Sequence, residues 1–366
     1  IVTQFVGELF QVQAQASLAP LSGGAGGASA SADSPVAALI ATRFASKPEL
    51  QAELFGVAAR VHVDIGAGRP AVDFASRQLA MLERMDATPA QRAAAQMQLA
   101  SAFTLLGRFE QAESAARAAV ALLPDDRSAA GLEARAALGT LWLPNGRQDL
   151  VRDLLASVAL SKPLDARAPS IGLARMLDVQ GTLLEIDNRF DEALAMWRRG
   201  IAMAQQVEGE GSLVASRIGV RMAMEELGRN RAADARRTLA NALRVLADGG
   251  DAGRVQAALV SSRFAVLAFN MGHMTHAEAQ AAVDDAHAVV ATRAGGLPPQ
   301  VLAGVEVQQG VIALRHGDLT LAGRLLQRAV PIAEAATDGL VTRRLLAGYM
   351  GAWAMASGQH AVADGW

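Results

Sequence analysis

A short turn signature returns along this chain at a spacing of about forty residues, and that recurrence limits the fold more than any other feature. It reads LLGRFEQA up to Ala112, EIDNRFDEA up to Ala193, ELGRNRAADA around Ala233, NMGHMTHAEA around Ala277, RHGDLTLA up to Ala322 and ASGQHAVA up to Ala363, with weaker copies at Gly68 and Gly146. Taking Gly68, Gly107, Gly146, Asn188, Gly228, Gly272, Gly317 and Gly358 as the turn residues, successive gaps are 39, 39, 42, 40, 44, 45 and 41 residues. A period in this range belongs to stacked supersecondary units, each too small to bury its apolar face alone.

The residues around each turn say what the unit is. Seven positions before it stand Ala100, Gly139, Gly181, Ala265, Gly310 and Gly351, and five after it Ala112, Ala193, Ala233, Ala277, Ala322 and Ala363. Two antiparallel helices joined by a tight turn approach closely only where small side chains meet, and a Gly at the turn supplies the left-handed residue that ends the first helix. Larger residues flank the small ones. Leu99 and Phe103 bracket Ala100, Leu138 and Trp142 bracket Gly139, and Trp197 follows Ala193 by four, so that they fill the groove between helices. Pro124 and Pro163 stop the second helix of two units. These features predict an all-α, right-handed superhelical solenoid of antiparallel helix pairs over residues 35–366, about eight units with the last incomplete.

The flanking regions differ from this array. Residues 13–34 are rich in Gly, Ala and Ser and hold too few large apolar side chains to offset their ordering entropy, which predicts a linker. Before it, Val2, Phe5, Val6, Leu9 and Phe10 share one helical face, so 1–12 reads as a short helix ending an upstream region. Ser34 and Pro35 then form a helix start. The absence of an initiator Met and the stop at Trp366, just after a turn, lead to the expectation of a piece of a larger protein.

Composition removes several function classes. The formal charge is -2, which leaves no broad positive field for nucleic acid or anionic membranes. There is no Cys, hence neither a disulfide nor a thiolate metal site. No apolar run approaches the roughly 20 residues of a membrane span. A cytoplasmic location is expected. Lys occurs at 47 and 162 and the other basic residues are Arg, a skew that reads as a GC-rich genome rather than as chemistry.

Catalytic and metal-binding patterns are weak. His273 and His276 have ligand-like spacing but no third ligand, and they sit at a turn, which predicts a solvated pair. His62, His287, His316 and His360 are isolated, and read as surface or capping residues. The acidic pairs Asp125-Asp126, Asp284-Asp285 and Glu225-Glu226 fit helix ends or exposed faces. GGAGGASAS near Gly23 lacks the Lys-Ser/Thr of a phosphate loop. No enzyme, cofactor or metal site is expected.

The pattern resembles the tetratricopeptide repeat (TPR) family, most closely in residues 93–124, where Leu99, Ala100, Phe103, Gly107, Phe109, Ala112, Ala119 and Pro124 fall in register. Residues 132–163 match nearly as well; beyond Asn230 the match declines, with Arg221 where a small residue belongs. The longer period is similar to the extended repeats of kinesin light chains and of bacterial multidomain signalling regulators. Residues 1–125 also resemble the region after the catalytic domain of bacterial serine/threonine kinases, or after a winged helix in related regulators, without any motif of either domain.

The TPR resemblance implies that each first helix lines a concave groove. The groove positions are then Met97, Ser101, Glu133, Thr140, Arg175, Asp178, Thr182, Glu185, Arg263, Asn270, Gln308, Arg315 and Tyr349. Met97 and Ser101 occupy places where chaperone-binding members carry a Lys and an Asn, which argues against that specialised function. A protein or peptide partner is expected, bound by a non-catalytic scaffold or sensor region of a larger bacterial signalling or transcriptional regulator. The alternative is a small-molecule effector sensor, suggested by an inner face of low charge around Thr140, Thr182 and Val266.

Overall fold

A computed structural model describes residues 35–64, 66–161, 164–292, 297, 299–335 and 340–363. The helix expected at 1–12 and the linker at 13–34 lie outside the described residues. Among the described residues every regular element is helical. A lead-in helix, Pro35–Arg43 (α1), is followed by eight pairs: Pro48–Asp64 (α2) with Gly68–Arg84 (α3), Pro89–Leu105 (α4) with Phe109–Leu122 (α5), Ala129–Trp142 (α6) with Gln148–Ser161 (α7), and Ile171–Ile186 (α8) with Phe190–Glu208 (α9). The array continues with Leu213–Gly228 (α10) and Ala232–Asp248 (α11), Gly250–Asn270 (α12) and His276–Ala291 (α13), Pro299–His316 (α14) and Leu319–Ala335 (α15), and Leu340–Ala356 (α16) with the single turn His360–Ala363 (α17). The chain is a solenoid of helix pairs, as the repeat predicts.

The backbone corrects the register of two units. The left-handed residue of each hairpin is Gly66, Gly107, Gly146, Asn188, Asn230, Gly272, Gly317 or Gly358, so Gly66 and Asn230 hold the place assigned to Gly68 and Gly228. Gly68 instead opens α3, where an added Cβ would lie 2.5 Å from Leu106. With this register the gaps become 41, 39, 42, 42, 42, 45 and 41, and the position seven before the turn is small in all eight units: Ala59, Ala100, Gly139, Gly181, Ala223, Ala265, Gly310 and Gly351. Ala223, not Arg221, is the packing residue of the fifth unit, and it is fully buried. On the second helices Ala235 and Ala279 are buried, whereas Ala233 and Ala277 are exposed.

The small positions act by close approach. A Cβ on Gly181 would come within 2.6 Å of Trp197 Nε1, and Trp197 is fully buried with its indole N–H donating to the Asp178 carbonyl at 3.3 Å. The same arrangement recurs near the end of the array, where Gly323 leaves room for Trp353. In the third unit the pairing differs. Pro144 removes an amide donor and the end of α6 becomes a 3₁₀ turn, Leu143–Asn145, which redirects the chain. Helix α7 then stands apart and α6 packs directly on α8, so that Gly139 faces Val179 of the next unit (2.9 Å to an added Cβ). The buried Arg167 secures the link to α8 by donating to the carbonyls of Asp126 and Val158, each at 2.6 Å.

Two polar groups expected at the surface are core groups. Glu226 is 2 % exposed and accepts from Thr238 Oγ1 at 2.9 Å. His62 is 1 % exposed, with Nδ1 2.7 Å from the Ala58 carbonyl and its ring 5.1 Å from Phe74. Nor is His316 isolated: it stacks in parallel on His276 with centroids 3.6 Å apart.

The array curls tightly enough to meet itself. Helix α2 of the first unit touches α12 of the sixth, and Asp64, the last residue of α2, bonds Arg217 on α10 across 153 residues of sequence. Ala67 joins the apolar cluster built by α12, α13 and α14.

Overpacking the closest helix crossing should unfold the array more readily: Gly181→Leu is expected to lower stability by about 1–3 kcal/mol in urea titrations, while Arg147→Leu at an exposed turn should change it by less than about 0.5 kcal/mol. Burial lowers the pKa of His62 against the raising effect of its Ala58 hydrogen bond. The unfolded chain therefore binds the proton more readily, so stability holds above about pH 6.5 and falls as pH drops below it. His62→Gln is expected to flatten that part of the profile of urea midpoint against pH.

Candidate functional site

The curl brings the first helices of four successive units around one cavity of about 310 Å³. Helices α4 and α6 supply one wall: Ala100, Ala136 and Ala137, with the hydroxyls of Ser101, Thr104 and Thr140 between them. Each hydroxyl donates to the carbonyl four residues back, Ser101 to Met97 at 3.1 Å, Thr104 to Ala100 at 2.8 Å and Thr140 to Ala136 at 2.8 Å. Their hydrogens are thereby used and their oxygens face the cavity as acceptors. Helices α8 and α10 supply the opposite wall, with Arg175, Asp178, Arg217 and Arg221 set among Val214 and Ile218.

The charged wall is organised by the repeat. Glu133, Arg175 and Arg217 each stand thirteen residues before the turn residue of their unit, so they form a row across α6, α8 and α10. Arg175 Nε lies 3.3 Å from Glu133 Oε1, and Arg221 Nε 3.3 Å from Asp178 Oδ1. Arg221 Nη1 donates to Thr182 Oγ1 at 2.9 Å. Arg217, whose side chain is 43 % exposed, is met by Asp64 from the first unit. Burial pushes the Asp178 carboxyl above its ordinary value, opposed by Arg221, by the Trp197 indole and by Arg175. Burial likewise raises Asp64, opposed chiefly by Arg217 and Arg60. Glu185, one helical turn beyond Thr182, is raised by burial and by the neighbouring Glu225. The inner face is thus rich in charge, contrary to the low-charge face expected around Thr140 and Thr182.

Of the thirteen groove positions read from the sequence, Ser101, Thr140, Arg175 and Asp178 line this cavity, and Glu133 and Thr182 reach it through their Arg partners. Met97 is half-buried against the apolar cluster of Ala93, Ala119 and Ala134. Arg315 bonds Asn270 at 3.0 Å between α14 and α12, away from the cavity. Arg263 is exposed on α12, Gln308 is half-buried on α14, and Tyr349 packs on the apolar cluster of α14 to α16. The sequence reading missed Asp64, Thr104, Arg217 and Arg221. For Arg217 the signal was present: anchoring the fifth unit on Asn230 places it in line with Arg175.

Among the described residues no cluster of three or more His, Asp or Glu is placed to hold a metal ion, and no helix is long and apolar enough to cross a membrane. No protein-family model matches the chain, and no curated protein matches it. Solved structures resemble it in helical architecture. BtubC (BKLC) from P. vanneervenii overlaps 63% of this chain and 91% of its own, at 20% identity and a TM-score of 0.48. Aspartyl phosphate phosphatase F from Bacillus subtilis overlaps 84% of this chain and 77% of its own, at 10% identity and a TM-score of 0.46. PilF from Pseudomonas aeruginosa overlaps 70% of this chain and 98% of its own, at 16% identity and a TM-score of 0.39. At these levels the likeness carries no function from those proteins to this one.

A carboxylate held above its ordinary pKa destabilises the fold when ionised: its contribution is complete below the unfolded pKa and is lost as pH rises through the folded one. Asp178→Asn is therefore expected to leave the urea midpoint at neutral pH equal to or above that of the wild type, the difference closing as the solution is acidified. A fall of more than about 1 kcal/mol at neutral pH would instead make the Asp178–Arg221 pair a net stabiliser.

Proposed function

We propose that this chain is a non-catalytic interaction region that holds a peptide segment of a protein partner on the inner face of its solenoid. The observation that carries the proposal is the cavity built from α4, α6, α8 and α10, in which hydroxyl acceptors face a row of guanidinium donors across a floor of small side chains. Its volume accommodates one or two side chains, and the flanking inner faces extend the track along which a backbone can run. The resemblance of residues 1–125 to the region following kinase or winged-helix domains supports a setting within a larger bacterial signalling or transcriptional regulator in the cytoplasm. A second reading, a sensor for a small effector, is favoured by the cavity volume of about 310 Å³, which falls at the lower end of small-ligand sites.

Selection of random displayed peptides against the protein tests the first reading. Enriched sequences should bind the wild type and lose about tenfold or more of their affinity against Thr140→Trp, whose indole fills the cavity. If no peptide is enriched while a metabolite panel raises the thermal midpoint of the wild type but not of Thr140→Trp, the effector reading replaces it.

A further inference from the structure

The three cavity arginines are each met by a carboxylate, but not by equivalent ones. Glu133 and Asp178 lie on the first helix next to that of the arginine they meet, 42 and 43 residues away by subtraction, and belong to the regular row. Asp64 comes from the other side of the ring, 153 residues away, and is the contact by which the first unit closes on the fifth. It is also poorly placed as an anion. It ends α2, where the exposed carbonyls of the helix make a carboxylate unfavourable and a cation favourable. Arg217 remains 43 % exposed, so its guanidinium offers donors to an incoming group, and planar two-point binding of a carboxylate suits it. The residues lining the cavity carry three Arg against a single Asp.

Resting on the peptide-docking reading, we propose that Asp64 stands in for a carboxylate of the bound peptide: an acidic peptide displaces it from Arg217, gains Arg221 as a second donor, and in doing so releases the first unit from α10. The opposite wall fixes the polarity of the occupant. Ser101, Thr104 and Thr140 donate to the helix backbone and present their oxygens to the cavity, which suits the N–H groups of a peptide backbone better than a second anion. The occupant's carboxylate lies toward α10 and its amides toward α4 and α6. Binding and loss of the Asp64–Arg217 contact are then one equilibrium, because Arg217 cannot hold both carboxylates in full.

Fluorescein-labelled hexaglutamate, followed by anisotropy, is the probe. Arg217→Ala/Arg221→Ala should weaken it about tenfold or more, Asp64→Asn should tighten it several-fold by removing the internal competitor, and Arg324→Ala, an exposed arginine on α15, should leave it unchanged. Equal losses at Arg324 and Arg217, or no tightening in Asp64→Asn, overturn the proposal. The chain has no cysteine, so spin labels at Glu53→Cys on α2 and Asn241→Cys on α11 report the ring directly. Their separation should lengthen on adding the peptide, and an unchanged distance at saturation refutes the release. Should glutarate reproduce both effects, the occupant is a small acid and not a peptide. Peptides that need an open cavity in the Thr140→Trp comparison but ignore Asp64, Arg217 and Arg221 would leave the docking function standing and remove this inference alone.

Discussion

Close approach of helices through missing side-chain volume is the constraint on which the rest of this structure depends. In each unit the position seven before the turn is Gly or Ala, and at Gly181 the space of a single Cβ is occupied by the indole of Trp197. Larger residues there would separate the helices of a pair, and because every unit repeats the crossing, the separation would accumulate along the array. The tight crossings instead give a strong curl. That is why a helix of the first unit reaches the sixth, a contact no single hairpin could specify.

The curl converts a periodic sequence into a chemical site. Residues at one repeat position, Glu133, Arg175 and Arg217, are brought into a row, and the cavity it borders is also lined by the hydroxyls of Ser101, Thr104 and Thr140 on α4 and α6. Holding these charges is unfavourable for the fold in part: Asp64 and Asp178 are both desolvated enough to resist ionisation despite their arginine partners. An apolar inner face of the same shape would bury its groups with less penalty. Charge retained under such conditions is understandable where it is used to recognise something, and the row of donors across from acceptors has the polarity a peptide presents.

The third unit shows how one residue perturbs a repeat without ending it. Pro144 turns the end of α6 into a 3₁₀ segment, α7 packs less closely on its neighbours through Val151 and Val158, and α6 meets α8 directly. The array tolerates this because Arg167 ties the long connection back with buried hydrogen bonds, and because Gly139 and Gly172 let α6 and α8 approach as closely as a normal pair. Leu160, 89 % exposed on α7, is what the displaced helix leaves uncovered.

The sequence alone determined that the chain is a stack of helical pairs, because small residues at a constant interval have no other efficient packing, and it located Ser101, Thr140, Arg175 and Asp178 on the inner face. It also misplaced two turns by two residues: a Gly near the turn is a strong signal, but at Gly228 the left-handed conformation belongs to Asn230, whose short amide side chain tolerates it. That slip hid Ala223 as a packing residue and Arg217 as a cavity residue. The burial of His62 and Glu226 was set in three dimensions, since His62 is covered by Phe74 and Glu226 is met by Thr238, each from the paired helix. The closure of the ring by Asp64 and Arg217 was likewise beyond local reading. Periodicity specifies each step of the superhelix, but whether its first unit meets its fifth depends on small crossing angles added over the whole turn.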